Sequence, residues 1–215
     1  MGPTLYMIPA SPAVRSVTIC AKAIGVDLNL KNVDLFSGEH LKPEYLKINP
    51  QHTVPVLDDD GFILADSHAI MSYLVSKYGK DKSLYPTDLQ QRAIVDHRLH
   101  FDSSILFARG AAISGLLFGG GKEIPQKLLD NLSEAFQVVE KLLQKTKYAA
   151  GDQVTIADLS FVTSLTSFAL FVPLTEAQFP KITAWLKKME ELPYYSENKN
   201  GLEQYHQILK TIMKK

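Results

Sequence analysis

Apolar positions over the first 80 or so residues switch between the two-residue period of a strand and the 3.6-residue period of a helix. Thr4 to Ile8 is a short β-prone run, and Pro9-Ala10-Ser11-Pro12 then opens a helix. Ser11 suits the N-cap and Pro12 the first helical position. Val14, Val17, Thr18, Ala21 and Ile24 give that helix an apolar face, and Gly25 ends it. Leu28 to Leu35 reads as a second strand. Val54 to Leu57, the turn Asp58-Asp59-Asp60-Gly61, and Phe62 to Ala65 read as a β-hairpin. Asp66-Ser67 caps a further helix through Ile70, Tyr73, Leu74 and Tyr78. The predicted order is βαβ, an irregular helical segment, then ββα.

After Gly79 the strand signals stop. Lys80 to Asp88 is polar, contains Pro86, and reads as a linker. Only helical periodicity follows, so the chain divides into residues 1–79, a linker over 80–88, and an all-helical domain over 89–215. One long helix is expected from Leu89 toward Leu117, broken by Gly119-Gly120-Gly121, with a second from Pro125 to about Thr146. Ile156 to Phe171 is apolar nearly all round and belongs in the middle of that domain. Thr155-Ile156-Ala157-Asp158 matches a capping box with Asp in place of Glu or Gln, so it sets the start of the buried helix. Further helices are expected over Pro180 to Glu191 and Leu202 to Met213.

Composition narrows the class. The 215 residues are 46% hydrophobic and 21% charged, as in an ordinary soluble globular protein. Lys plus Arg and Asp plus Glu are both 23, so the basic excess of a nucleic-acid binder is missing. Met1-Gly2-Pro3-Thr4 does not begin a secretory signal, and Leu165 to Leu174 is too short and interrupted to span a bilayer. The one cysteine, Cys20, excludes an internal disulfide and a cysteine-based metal cluster. A cytoplasmic protein without metal, nucleic-acid partner or membrane anchor is expected.

The stretches Ser11-Pro12-Ala13-Val14-Arg15, Asn49-Pro50-Gln51-His52-Thr53-Val54-Pro55-Val56-Leu57 and Asp66-Ser67-His68 carry the candidate chemistry. Together they resemble the glutathione site of the cytosolic glutathione transferases, in particular the insect epsilon class, and the resemblance runs over the whole chain. It implies a thioredoxin-like βαβ-ββα domain followed by a helical-bundle domain, glutathione as co-substrate, and a homodimer. Val54-Pro55 would be the cis-proline loop, leaving the Val54 N–H and C=O free for the cysteinyl backbone of glutathione, with Thr53 beside them. Asp66 would accept from the γ-glutamyl amine. Ser67, with the N–H groups at its helix start, would donate to the γ-glutamyl carboxylate. His52, and more loosely His40, resemble the ligands of the glycyl carboxylate. His68 completes an Asp-Ser-His-Ala-Ile run typical of the epsilon class.

The thiolate is the nucleophile, and a free thiol has a pKa near ~8.5, so the site must favour the charged form. Ser11 resembles the activating serine of the family: its hydroxyl would donate to the thiolate, where the helix dipole also acts. Tyr6, on the first strand, is the alternative hydroxyl, and a plain N-cap is the alternative role for Ser11. Position 13 is Ala where the family usually has a second Pro.

Phe107, Ala111, Ser114 and Phe118 share one face of the first long helix, and the resemblance implies that this face lines an electrophile pocket, with Pro12 and Leu35 opposite and Tyr205 covering it. Gly110, Ala111, Ser114 and Gly115 are small where relatives carry bulk. A wide apolar pocket and a kink at the glycines are the expectation, with close helix packing as the alternative. The activity implied is conjugation of the glutathione thiolate to hydrophobic electrophiles. A ligand carrier and a scaffold domain on the same fold are the rivals. His97, His100 and Asp102 could suggest metal ligands but read as a solvated helix face. Gly119 to Lys122 fails as a phosphate loop, and Cys20 reads as core.

Overall fold

The computed structural model describes residues 2–214. Four strands, β1 (Thr4–Met7), β2 (Asn29–Asn32), β3 (Val56–Asp59) and β4 (Phe62–Ala65), form one sheet in the order β2-β1-β3-β4. β1 pairs parallel with β2 and antiparallel with β3, and β3 pairs antiparallel with β4. β2 is shorter than its apolar pattern suggested and exposed at every position, a polar edge that discourages pairing with another chain. Asp60 and Gly61 make the β3–β4 turn with φ of 55° and 86°, as a two-residue hairpin with the right twist requires.

Alternation along β1 separates two apolar layers. Leu5 and Met7 face α1 (Pro12–Ala23) and α3 (Ser67–Tyr78) in the main core, which continues without a break into the helical domain. Tyr6 faces the other way, toward a small second core of Val33, Tyr45 and Val56 over the short helix α2 (Pro43–Leu46). Val54-Pro55 is cis.

The helical domain comprises α4 (Leu89–Phe101), α5 (Phe107–Phe118), α6 (Gln126–Leu143), α7 (Ile156–Phe168), α8 (Pro180–Glu190) and α9 (Ser196–Met213). The expected long helix is interrupted, but not at its glycines. Asp102–Leu106 is a π-helical turn in which the Phe107 N–H reaches back to the Asp102 carbonyl. The extra residue per turn rotates Asp102 from the solvated face to 2% exposure. By length and composition alone, the run Leu89–Phe118 would suffice to cross a membrane. Here its flanks pack on α6, α7 and α9. α9 starts six residues before the expected Leu202 and takes in Gly201, where a side chain would collide with the Pro9 carbonyl.

The buried helix starts where its capping box requires. Twelve of the 13 residues of α7 are buried. Asp158 Oδ2 accepts from the Thr155 N–H at 2.9 Å and from its hydroxyl at 3.1 Å. Oδ1 accepts from the Ala149 N–H at 2.8 Å and Trp185 Nε1 at 3.0 Å. One carboxylate thus joins a helix start, the preceding loop and α8, and its loss strands donors that no water can reach. Asp158→Ala is expected to lower the unfolding free energy by about 3 kcal/mol, read from chemical denaturation.

Candidate functional site

A cavity of about 340 Å³ opens at the N-terminal end of α1, between the two domains. A larger hollow of about 510 Å³ lies at the other end of α1, beside Ala23, Lys80 and Tyr148. The smaller one collects the unspent hydrogen-bonding groups, and so it is the candidate site. Its walls are the first turns of α1 (Ala13, Ser16), the loop up to Pro55, the start of α3, the π turn with Phe107, and the polar face of α7.

The loop before Pro55 is held from behind. Asn49 is 2% exposed, and its Nδ2 donates to the Thr53 carbonyl at 3.0 Å and to the Thr53 hydroxyl at 3.1 Å. The Tyr45 hydroxyl donates to the same carbonyl at 2.7 Å. Thr53 therefore spends its polar groups inward. Among the described residues nothing bonds the Val54 N–H or C=O, so one free backbone pair stands at the cavity wall. His40 and His52, distant in sequence, lie with ring centroids 6.2 Å apart. His52 is itself bent to φ 49° by its N–H bond to the Asn49 carbonyl.

Asp66 caps α3 with one oxygen only. Oδ1 accepts from the N–H groups of His68 at 2.9 Å and Ala69 at 3.1 Å. Oδ2 has no partner among the described residues. The residue holds φ 76° and ψ 123°, a conformation that costs a non-glycine residue about 1–3 kcal/mol and is found where geometry serves a site. Ser67 follows at the first helical position, with the helix's orphan N–H groups around it.

His68 turns toward the helical domain. Its Nε2 lies 2.7 Å from Ser160 Oγ on α7 and 3.2 Å from Asp102 Oδ2, and the Ser160 hydroxyl also donates to that oxygen. Asp102 Oδ1 is buried without a partner. Sequence reasoning missed Asp102 and Ser160 as site residues. Asp102 sits in a His-rich helical run that reads as solvated, and the π turn that brings it inward contains neither Gly nor Pro to announce it.

Ser11 occupies the N-cap of α1 with its Oγ accepting from the Val14 N–H at 3.4 Å. The hydroxyl proton is therefore uncommitted. Ser11 does not itself line the cavity; Ala13 and Ser16, which follow it on α1, do. The rival hydroxyl, Tyr6, is on the far face of the sheet, edge-on to Tyr45 at 6.2 Å with Lys31 over its ring. Cys20 is fully buried, and burial raises its pKa to about 12, which keeps it an inert thiol.

The expected wide pocket is corrected at two positions. A Cβ at Gly110 would stand 2.2 Å from the Phe168 ring, so that glycine permits close packing of α7 against α5 and opens no space. Ser114 is buried, and its hydroxyl lies 2.6 Å from that of Tyr205 on α9. Burial raises the Tyr205 pKa to about 12. Phe107 lies edge-on to Phe168 at 5.9 Å and forms the cavity wall. Further along α5, exposed Phe118 meets exposed Phe36 edge-on at 6.3 Å. Pro12 is buried at the start of α1, and Leu35 packs on the small second core. Gly115, by contrast, has open space beside it.

A four-stranded sheet of this order, a cis-proline loop at a helix-capped cleft and a helical second domain define a thioredoxin-like transferase architecture. Residues 5–82 match the family model for the glutathione S-transferase N-terminal domain, and 94–193 match that for the C-terminal domain. Glutathione S-transferase 1 of Manduca sexta is 44% identical over 197 residues, 90% of either chain. An epsilon-class glutathione S-transferase from the housefly, Musca domestica, superposes with a TM-score of 0.95 at 47% identity over 98% of both chains. A glutathione transferase homolog from Drosophila mojavensis, solved with bound glutathione, gives 0.95 and 47% over 98% of this chain and 97% of its own. The chain belongs to the glutathione S-transferase family, among its epsilon and delta classes.

Packing around α5 yields a contrast of sign. A helical Gly→Ala change ordinarily gains about 1 kcal/mol. Gly115→Ala is expected to raise stability by that amount, whereas Gly110→Ala is expected to lower it by about 1–3 kcal/mol through collision with Phe168. Thermal melts of the two variants, run side by side, decide the matter.

Proposed function

We propose that this protein is a serine-type glutathione transferase that joins the glutathione thiolate to hydrophobic electrophiles. The observation that carries the reading is the set of unspent groups around one cleft at the N-terminus of α1. Glutathione needs donors for two carboxylates, an acceptor for its amine and a backbone partner for its cysteine. The free Val54 N–H and C=O suit the cysteinyl backbone, as an added strand. Asp66 Oδ2, with the unpartnered Asp102 Oδ1 on the same cavity wall, suits the γ-glutamyl ammonium. Ser67 and the start of α3 suit its carboxylate, and the neighbouring His40 and His52 suit the glycyl carboxylate. His68, on α3, ties this wall to the second domain through the bonds of its Nε2 with Ser160 and Asp102.

In the reaction the thiol loses its proton to solvent, and the Ser11 hydroxyl donates to the resulting thiolate. The dipole of α1 favours negative charge at the same point. The thiolate attacks an electrophile seated between Pro12 and the Phe107 end of α5, and the leaving group departs into the open cleft. Water is thinned there by the Phe107 ring, which forms the cavity wall. A homodimer in the cytoplasm, detoxifying apolar compounds, is the setting the family suggests.

A hydrogen bond to a charged group contributes about 1.5–3 kcal/mol. Ser11→Ala is therefore expected to lower the conjugation rate with chlorodinitrobenzene by about 10- to 100-fold, with glutathione affinity retained. Unchanged turnover in that variant, or glutathione binding without any turnover in the wild type, would refute the reading. Asn49→Ala, which frees the loop carrying Val54, is expected to raise the KM for glutathione several-fold with a smaller change in kcat.

A further inference from the structure

Arg15 carries a guanidinium into the interior with no acid to meet it. The residue is 1% exposed. One terminal nitrogen donates to the Ser167 hydroxyl on α7, the other to the Asn198 carbonyl on α9 at 3.5 Å, and Nε has no partner. Among the described residues no carboxylate from any element forms an ion pair with it. The titratable groups that face it are Tyr195, the residue before α9, and Tyr205 and His206 on α9. Burial lowers the Arg15 pKa only to about 10, so it stays charged at neutral pH.

Such a cation is costly to bury, and an apolar side chain of similar volume would pack there at less expense. The C-terminal turn of α7 offsets part of that cost, since helix C-termini favour positive charge and Ser167 lies in that turn. This explains how the charge is tolerated. Its value to the molecule has to come from elsewhere.

Position supplies the answer. The Arg15 N–H donates to the Ser11 carbonyl at 3.0 Å, so the two residues are one helical turn apart, and helical side chains lean back toward the N-terminus. A Cβ built on Gly201 would stand 2.1 Å from the Pro9 carbonyl oxygen and 2.7 Å from Arg15 Cδ. The arginine stem and the loop that carries Ser11 are thus neighbours, sealed together under α9. We propose that Arg15 is a buried, deliberately unpaired cation whose field, acting through the protein interior from beneath the Ser11 loop, stabilises the glutathione thiolate. No bond is made or broken by Arg15; the thiol proton still goes to solvent. The inference rests on the reading of Ser11 as the thiolate-binding residue. At an effective dielectric constant of about 20, a unit charge acting over about 10 Å lowers a thiol pKa by about one.

The test is a pH titration of thiolate ultraviolet absorbance in the enzyme–glutathione complex, for wild type, Arg15→Met, Arg15→Gln, Arg15→Lys and Ser11→Ala. Arg15→Gln keeps a donor for Ser167 and serves if the Met variant does not fold. Loss of the charge is expected to raise the apparent thiol pKa by about one, roughly a tenfold loss of thiolate below it, with the pH–rate profile moving by the same amount. Arg15→Lys, though less stable, is expected to return the pKa to near the wild-type value. A wild-type pKa in a folded, glutathione-binding Met or Gln variant overturns the inference and leaves Arg15 a structural clamp. A Lys variant as high as the neutral ones overturns it as well. If Ser11→Ala alone moves the pKa, this inference fails and the serine reading stands; if neither residue moves it, the serine reading itself fails.

Discussion

The enclosure of α1 is the constraint from which the site follows. Eight of its 12 residues are buried, because one side packs on the sheet and α3 while the other packs on α7 and α9. A helix on the rim of a single domain would bury one stripe and leave its end free to adjust. Here the end is held from both domains, and Gly201 lets the backbone of α9 come up against the Pro9 carbonyl. The N-terminus of α1, with its positive dipole end and its capping serine, is therefore a fixed point at the domain junction. Whatever sits there meets the same field and the same donor each time.

Around that point the molecule divides its polar groups between those that hold the site and those left for a ligand. Asn49, Tyr45 and the inward groups of Thr53 are satisfied within the protein, so the loop is stiff. The next residue, Val54, has both backbone groups unspent. The same division appears within single side chains. Asp66 caps its helix with one oxygen and keeps the other, and Asp102 binds His68 and Ser160 with one oxygen and leaves the other without a partner. The buried Asp102 oxygen left open in this way is expensive unless something fills it, while the free Asp66 oxygen stands exposed beside it. The tripeptide's amine and carboxylates have the matching chemistry.

On the electrophile side the balance is different. Aromatic rings close the gaps that small residues leave: Phe168 stands over Gly110, and the Tyr205 hydroxyl meets Ser114. The α5–α7–α9 contact is thus a packed, pinned wall, and the open space along α5 lies toward Gly115 and the exposed Phe36–Phe118 pair.

The features legible in the chain by itself are those set by residues three or four apart. The Ser11 cap, the Asp60-Gly61 turn, the Asp66 cap and the Thr155–Asp158 box depend on local backbone geometry, and local sequence specifies it. The order of strands and helices followed from apolar periodicity, and the stretches around Pro55 and Asp66 carried the resemblance to the glutathione transferases. Other features depend on partners far away in the chain. Asp102 faces inward only because a π turn meets Ser160 and His68. Gly110 serves packing only because Phe168 arrives against it from α7. Arg15 lacks an acid only because α7 and α9 bring it a hydroxyl and a carbonyl instead. Periodicity marks a position as inside or outside its own helix, but the identity of the neighbour across the gap is a property of the packed helices, and that the tertiary structure alone decided.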